Sequence, residues 1–419
     1  MIKAVTGTKD ILPSEISSWH YLENLLRETF SIFNYKEIRT PVFEETALFA
    51  RGIGEDTDIV SKEMYTFRDR SETSITLKPE MTAGVVRAFI EHSLGAQQGL
   101  NKLYYISPMF RQERPQAGRL RQFHQFGAEA IGSSSPLLDA EMIQLAYHIL
   151  KSLGLKNLQV KINSLGIPEV REKYKNLLRE FLSDKKEKLS EDSRKRFDTN
   201  ILRIFDSKIE VDKQILNNAP LLIDYLDEES KQNFEVVKDY LTKNGIPFDV
   251  DSALVRGLDY YTKTTFEIVS SSVGSQSALC GGGRYDLLIN ELGGKPTPAV
   301  GFAAGMERIL LACANENTFA LPPEQLDVYI VRIDNGIEML AAEICTELRR
   351  RNLKCDYDYL ARSVKAQMRE ANKMNARYVI FLGGDELKEG LLNLKNMQNG
   401  TEQKVLKNSF DEIKKIINS

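Results

Sequence analysis

The stretch FRQERPQAGRLRQFHQFGAE, residues 110–129, carries Arg111, Arg114, Arg119 and Arg121 between runs that alternate with the period of a β-strand. KLYYISPMF and QFHQFGAEAIG read as two antiparallel arms joined by a loop around RPQAGR. With the arms taken as 103–113 and 122–131, alternation puts Arg111 and Glu113 on one face, and Gln125, Gly127 and Glu129 on one face. Polar faces of this kind require solvent or a ligand against them. Gly127 leaves space beside its neighbours and the loop adds three more arginines, which favours a phosphate-lined cleft over a merely solvated face. Arginine suits that task because its fork binds phosphate oxygens in pairs and keeps its charge.

Such a cleft has to be local. Lys and Arg total 56 against 59 Asp and Glu, a net charge of −3, which argues against a general nucleic-acid coat. At 419 residues, 42% apolar and 27% charged, the chain should divide into roughly two to four ordinary globular domains. Residues 1–167 mix helix and strand periods, with SSWHYLENLLRETFSIF as an amphipathic helix. From 168 to 247 both charge signs are dense at helical spacing, the texture of an inserted helical domain with solvated faces. Strand texture returns in ALVRGLDYYTKTTFEIV, and PAVGFAAGMERILLACA reads as a strand turning into a helix. LPPEQ then punctuates the chain. Beyond it DVYIVRI and RYVIFLG alternate with GIEMLAAEICTELRRR and SVKAQMREANKM, a small α/β sheet with strands buried on both faces.

Cys280, Cys313, Cys345 and Cys355 form no CxxC pair, which speaks for a reducing cytoplasm and against zinc or a disulfide framework. His20, His92, His124 and His148 form no HExxH, so no protein-held metal is expected. The first residues, MIKAVTGTKDILPSE, lack an apolar signal core, and runs such as ILLACA are too short for a membrane span.

Other segments add to the inventory. RGLDYYTKTTFE supplies Arg256 and Asp259, as a structural ion pair or as part of a pocket. Of its adjacent Tyr260 and Tyr261, a strand would turn only one toward a given face. Gly281, Gly282 and Gly283 fit neither a P-loop nor a dinucleotide fingerprint, so a structural turn is the default. Arg308 lies near a helix start, and Glu80 and Thr82 at the mouth of another, where an acid suits the dipole. No serine or cysteine is visibly partnered by histidine. Separated arginines with carboxylates at Glu80 and Glu129 suit phosphoryl or nucleotidyl chemistry run by positioning and charge neutralisation.

On these residues the chain resembles the bacterial histidyl-tRNA synthetases, of the class II aminoacyl-tRNA synthetases. The resemblance runs from GTKDILPSE through TPVFEETALFARGIGEDTDIVSKEMYTF, FRQERPQAGRLRQFHQFGAE, LVRGLDYYT, CGGGRYDLLINELGG and PAVGFAAGMER to ARSVKAQMREANKMNARYVIFLGGDEL. It covers most of the chain, and RGLDYY and CGGGRYD mark this family within class II. It implies an α+β fold: a catalytic domain over 1–322 with an antiparallel sheet flanked by helices, a helical insertion at 168–248, and a C-terminal α/β anticodon-binding domain over 326–419. It implies a homodimer with the 41–49 segment near its interface.

The resemblance also implies roles. Glu80, Met81, Thr82, Arg111, Gln125, Glu129 and Arg256 would surround histidine, with Tyr260 and Tyr261 closing the pocket and Glu129 and Tyr261 reading the imidazole. Arg111 would meet the α-phosphate of ATP, Arg119 and Arg308 the outer phosphates, and Phe123 the adenine, with Glu113 nearby. Arg256 and Arg111 would be the catalytic pair, stabilising charge as the histidine carboxylate attacks phosphorus and pyrophosphate leaves with Mg2+. The acyl group would pass to tRNA(His), whose acceptor end would meet Arg114 and Gln116. Met81 stands where the family commonly has glycine. Arg362, Lys365, Arg369 and Lys373 make a basic stripe, either solvated or against the anticodon stem-loop.

A catalytically silent paralogue, the regulatory subunit of ATP phosphoribosyltransferase, would be expected to lack the C-terminal domain and arginines such as Arg256; both are present. RGLDYY disfavours a class II enzyme for another amino acid.

Overall fold

Alternating apolar and small residues along the first part of the chain pair into an eight-stranded sheet. Its order is Lys36–Glu37, Asn101–Phe110, Gln122–Ile131, Ala299–Gly305, Ala278–Arg284, Thr262–Ser270, Leu158–Ser164 and Phe248–Val250. The six inner strands are antiparallel, and the short edge strands join in parallel. The computed structural model describes residues 1–54, 57, 59–116, 118–255, 260–274, 277–318 and 325–418. The chain divides into units 1–320 and 321–419.

The two faces of the sheet differ because side chains alternate. One carries Phe126, Ala128, Val300, Phe302, Phe266 and Ile268 into the main core, against Pro13–Ile32 and Pro136–Ser152. Pro13–Ile32 is helical for local reasons: Pro at its first turn, Glu15 beside the positive dipole end, and Trp19, Leu22, Leu26 and Phe30 along one buried stripe. On the other face, register aligns Glu129 with Gly301 and Gly301 with Gly283, and Gly127 with Ala303 and Ala303 with Gly281. Four glycines and one alanine leave this face hollow around Glu129.

Several sequence expectations shift. The first arm of the hairpin ends at Phe110, so Arg111 and Glu113 lie beyond it, although the Arg111 N–H still reaches the Arg121 carbonyl at 2.9 Å. The glycines of CGGGRYD are strand residues in Ala278–Arg284 rather than a turn. Within 168–248, helix Glu228–Lys243 buries Phe234, Val237 and Leu241 in the main core, and Tyr240 bonds Gln144 at 2.8 Å. That helix belongs with the sheet, leaving Tyr174, Leu178, Leu182 and Leu189 to pack the preceding helical segment.

In the second unit the strand order is Cys355–Tyr357, Val328–Arg332, Tyr378–Leu382, Leu391–Asn396 and Glu402–Leu406. The first three are parallel and the last two form an antiparallel hairpin. Its tip holds Asn399-Gly400, a turn pair, with Gly400 at φ +74. The basic stripe is shorter than expected, because Arg362 pairs with Asp358 and with Glu370 at 2.9 Å.

A buried ion pair fastens the sheet to helix Pro136–Ser152. Arg284 bonds both oxygens of Asp139 and donates to the carbonyls of Ser133 at 2.9 Å and Ser135 at 3.1 Å. Burial pushes the Asp139 carboxyl up while Arg284 pulls it back. Arg284→Met should therefore cost about 3–5 kcal/mol in urea unfolding by stranding the carboxylate, and adding Asp139→Leu should restore much of that.

Candidate active site

The hollow face of the sheet forms a cavity of about 220 Å³. Two groups of side chains line it, and they differ in chemistry.

The first group gathers around Glu129. Helix Thr82–Glu91 begins here, and Glu80 accepts the backbone N–H groups of Thr82 at 2.7 Å and Ala83 at 2.9 Å, satisfying donors that a helix start leaves unpaired. The Thr82 hydroxyl donates to Glu129 Oε1 at 2.8 Å, and the Tyr285 hydroxyl donates to Oε2. Glycine makes room for this arrangement. A Cβ on Gly301 would lie 1.7 Å from Glu129 Oε2, and one on Gly127 would lie 2.3 Å from the Tyr105 hydroxyl. Burial lifts the Glu129 carboxyl from its ordinary 4.5 to about 8, against the pull of the Tyr285 and Thr82 hydrogen bonds and with a further push from Glu80. Burial likewise pushes Glu80 up. Tyr260 and Tyr261 both line the cavity because they precede the strand that starts at Thr262. Their ring centroids are 4.7 Å apart, and Tyr260 meets Tyr285 edge-on at 5.6 Å.

The second group gathers around the 111–121 loop. Arg111 donates to the Pro79 carbonyl at 2.8 Å and lies over Phe123, 5.4 Å from the ring centre. Glu113 sits between Arg111 at 3.7 Å and Arg119 at 3.2 Å. Arg308, on helix Met306–Glu316, donates to the carbonyls of Gly118 at 2.8 Å and Ala278 at 3.1 Å. Burial first, and then Arg119 and Arg111 nearby, press the Arg308 pKa down. Guanidiniums that destabilise one another call for an anion. Among the described residues Arg119 Nε and Gln125 Oε1 are buried with no hydrogen-bond partner, a donor and an acceptor that a ligand could satisfy.

The cavity thus brings together Glu80, Thr82, Arg111, Glu113, Arg119, Phe123, Gln125, Tyr260, Tyr261 and Arg308. Glu129 stands one layer back, behind Thr82 and Tyr285. Met81 departs from its expected place among the histidine contacts: its side chain is buried in an apolar cluster, with the Thr40 hydroxyl 3.5 Å from its sulfur. Arg114 and Gln116 are exposed beside an adjoining concavity shared with Lys62 and Glu63. Arg256 lies outside the described residues. Sequence reasoning missed Tyr105, Tyr285, Glu267 and Glu307, the last three of which line the cavity. Tyr285 stands in CGGGRYD, and Tyr105 shares the period-two face of Gly127; Glu307 holds both the backbone N–H and the Nδ1 of His124, near 3.0 Å. Among the described residues no group of three or more His, Cys, Asp or Glu could hold a metal ion.

Glu129 gives the stability of the chain a pH signature. Its pKa is higher folded than unfolded, so the folded chain holds the extra proton, and that contribution is complete below about 4.5 and lost as pH rises through about 8. Between those values stability should fall by up to ~1.4 kcal/mol per pH unit from this group alone. Glu129→Gln should flatten that slope in urea unfolding series; an unchanged slope would assign it elsewhere.

Comparison with known proteins identifies the family and the fold. The sequence model of the family described as Histidyl-tRNA synthetase matches residues 7–309, and that described as Anticodon binding domain matches 327–419. The histidine–tRNA ligase of Caldanaerobacter subterraneus subsp. tengcongensis is 49% identical over 418 residues, covering 100% of this chain and 99% of that one. The crystal structure of apo S. aureus histidyl-tRNA synthetase superposes with a TM-score of 0.83 at 40% identity, covering 100% of both chains. A Bacillus halodurans structure described as an ATP phosphoribosyltransferase regulatory subunit/histidyl-tRNA synthetase has a TM-score of 0.66 at 21% identity, covering 92% of this chain and 99% of that one, and shares the fold alone. The chain belongs to the histidyl-tRNA synthetase family.

Proposed function

We propose that the chain activates L-histidine with ATP to histidyl-adenylate and pyrophosphate, then passes the histidyl group to the 3′ end of tRNA(His). The observation that carries this is one cavity lined by both a carboxyl–hydroxyl–tyrosine group and a cluster of guanidiniums around Phe123. The first group suits an amino acid with a hydrogen-bonding side chain, because a wrong ligand would leave buried polar atoms unpaired. Glu80 and Gln125 face the amino and carboxylate ends of histidine. Tyr261 meets the imidazole in the cavity, and Glu129, one layer back, reads it with Tyr261 through the Thr82 and Tyr285 hydroxyls that donate to its two oxygens. Tyr260 closes the pocket.

ATP lies along the second group, with adenine on Phe123 near Glu113, the α-phosphate at Arg111, and the outer phosphates at Arg119 and Arg308. Mg2+ arrives on the triphosphate as part of that substrate. The histidine carboxylate attacks the α-phosphorus in line, forming the new P–O bond as the bond to pyrophosphate breaks. Arg111 and Arg256 stabilise the charge on the phosphorus oxygens. No protein base is needed for a carboxylate that is already ionised. Arg114 and Gln116, exposed beside the cavity, receive the tRNA acceptor end.

The working form is a homodimer in the cytoplasm, with 1–322 as catalytic domain and 326–419 reading the anticodon. Val42, Phe43 and Phe67 are exposed in or next to the small sheet of Phe43–Glu45, Ser74–Leu77 and Tyr65–Arg68, which supports an interface there. Sedimentation at the mass of a single chain would remove that part. Among the described residues no helix is long and apolar enough to cross a membrane.

ATP–pyrophosphate exchange with each standard amino acid tests the reaction. Exchange with histidine alone is expected, and Arg111→Ala should lower its kcat by about 10²–10³. No exchange with any amino acid, from folded protein, would overturn the proposal.

A further inference from the structure

We propose that residues 359–361, the loop after strand Cys355–Tyr357, form a stacking platform for unpaired bases of the tRNA anticodon loop, with Tyr359 as the stacking ring. This rests on the reading of the chain as a tRNA ligase and adds the place where the second unit grips bases.

The loop is built to be rigid. Asp358, at its start, has a fully buried carboxylate that accepts the backbone N–H of Arg362 at 2.8 Å and pairs with the Arg362 guanidinium. The same carboxylate lies 3.7 Å from Arg332, which also donates to the Asp358 carbonyl at 3.3 Å. Gln367 ties both arginines down by donating to the carbonyls of Arg332 at 3.1 Å and Arg362 at 2.8 Å. The ends of the loop are thus pinned on one buried acid. The chain between them is forced outward, with Ala361 at φ +50.

What this frame presents is apolar. Tyr359 is 64% exposed and Leu360 72% exposed, side by side at the apex. Isolated exposed apolar side chains are ordinary, but two adjacent ones on a pinned turn are not explained by folding. The Tyr359 ring leans on Tyr357, with centroids 4.2 Å apart and planes at 37°, so it is held in place while most of its surface stays exposed. Arg349, half exposed, interacts with Tyr359. A tyrosine stack bordered by a guanidinium suits a nucleobase, and an ordered ring loses little entropy on binding one.

Charge on the next element selects the occupant. Helix Val364–Lys373 begins two residues after the loop and carries Lys365, Arg369 and Lys373 at four-residue steps, all exposed. A backbone tracking this row while its bases reach Tyr359 is a single-stranded RNA loop, and residues 327–419 match an anticodon-binding family.

The test uses the full chain and a fluorescent RNA hairpin copying the anticodon arm of tRNA(His). Tyr359→Ala should raise Kd on the order of tenfold, with the slope of log Kd against log salt unchanged, while Tyr359→Phe binds like the unaltered chain. Arg369→Ala should instead reduce that slope by about one. With abasic sites in the loop of the hairpin, Tyr359→Ala and the unaltered chain should bind equally weakly. Unchanged Kd in Tyr359→Ala, or an equal loss on the abasic hairpin, would overturn the platform. Histidine-dependent exchange by the unaltered chain needs no RNA and tests the underlying reading separately.

Discussion

A carboxyl group buried against a sheet of glycines sets the terms for the rest of this structure. Glu129 projects from a central strand onto the face where Gly301, its partner on the next strand, and Gly283 beyond it have no side chains, and Gly301 is the one that makes its position possible. Burial penalises the ionised form, so the group needs partners, and Thr82 and Tyr285 supply one hydrogen bond to each oxygen. Each partner carries its own requirement. Thr82 is placed by a helix whose start is satisfied by Glu80, and Tyr285 by a strand whose end is fastened through Arg284 to Asp139. The buried ion pair thus acts on the site from a distance, by fixing the residue beside it.

The second constraint is the separation of charge along one cavity. Carboxyls raised by burial occupy one group, and guanidiniums pressed on one another occupy the other. Neither group is at rest alone: the first gains from a hydrogen-bond donor or cation, the second from an anion. A zwitterionic amino acid meeting a polyphosphate satisfies both together, and its reacting carboxylate would sit between them. This complementarity makes charge placement, rather than a nucleophilic side chain, the natural source of catalysis here.

Much of this was legible in the residues. The second arm of the arginine-rich hairpin, the helix opening at Thr82 and the strand-to-helix turn at Gly305 follow from local periodicity, while the first arm ends three residues earlier than the alternation suggests. Ten of the side chains singled out line one cavity. What escaped depends on register between distant strands. Gly127, Gly283 and Gly301 acquire meaning only when the sheet aligns them with Glu129, Tyr105 and Tyr261, and a glycine run in isolation reads as a turn. Met81 could not be oriented from sequence, since whether a side chain at a helix mouth turns to the cavity or the core depends on packing. Helix Glu228–Lys243 looked like part of the insertion because charge density hides an apolar stripe that meets the main core. The basic stripe lost Arg362 for a similar reason: its partner, Asp358, comes from the loop before the helix.

The measurement closest to the central claim is a calorimetric titration of L-histidine into Gly301→Ala beside the unaltered chain, with the unfolding midpoint of each recorded. The added methyl lies where the Glu129 carboxylate oxygen now sits, so the account predicts a folded protein whose affinity for histidine falls by tenfold or more, on the order of the 1–3 kcal/mol lost with a buried hydrogen-bonded contact. Unchanged affinity in a folded Gly301→Ala chain would contradict it, and would mean that the position of Glu129 over the glycine floor does not govern recognition.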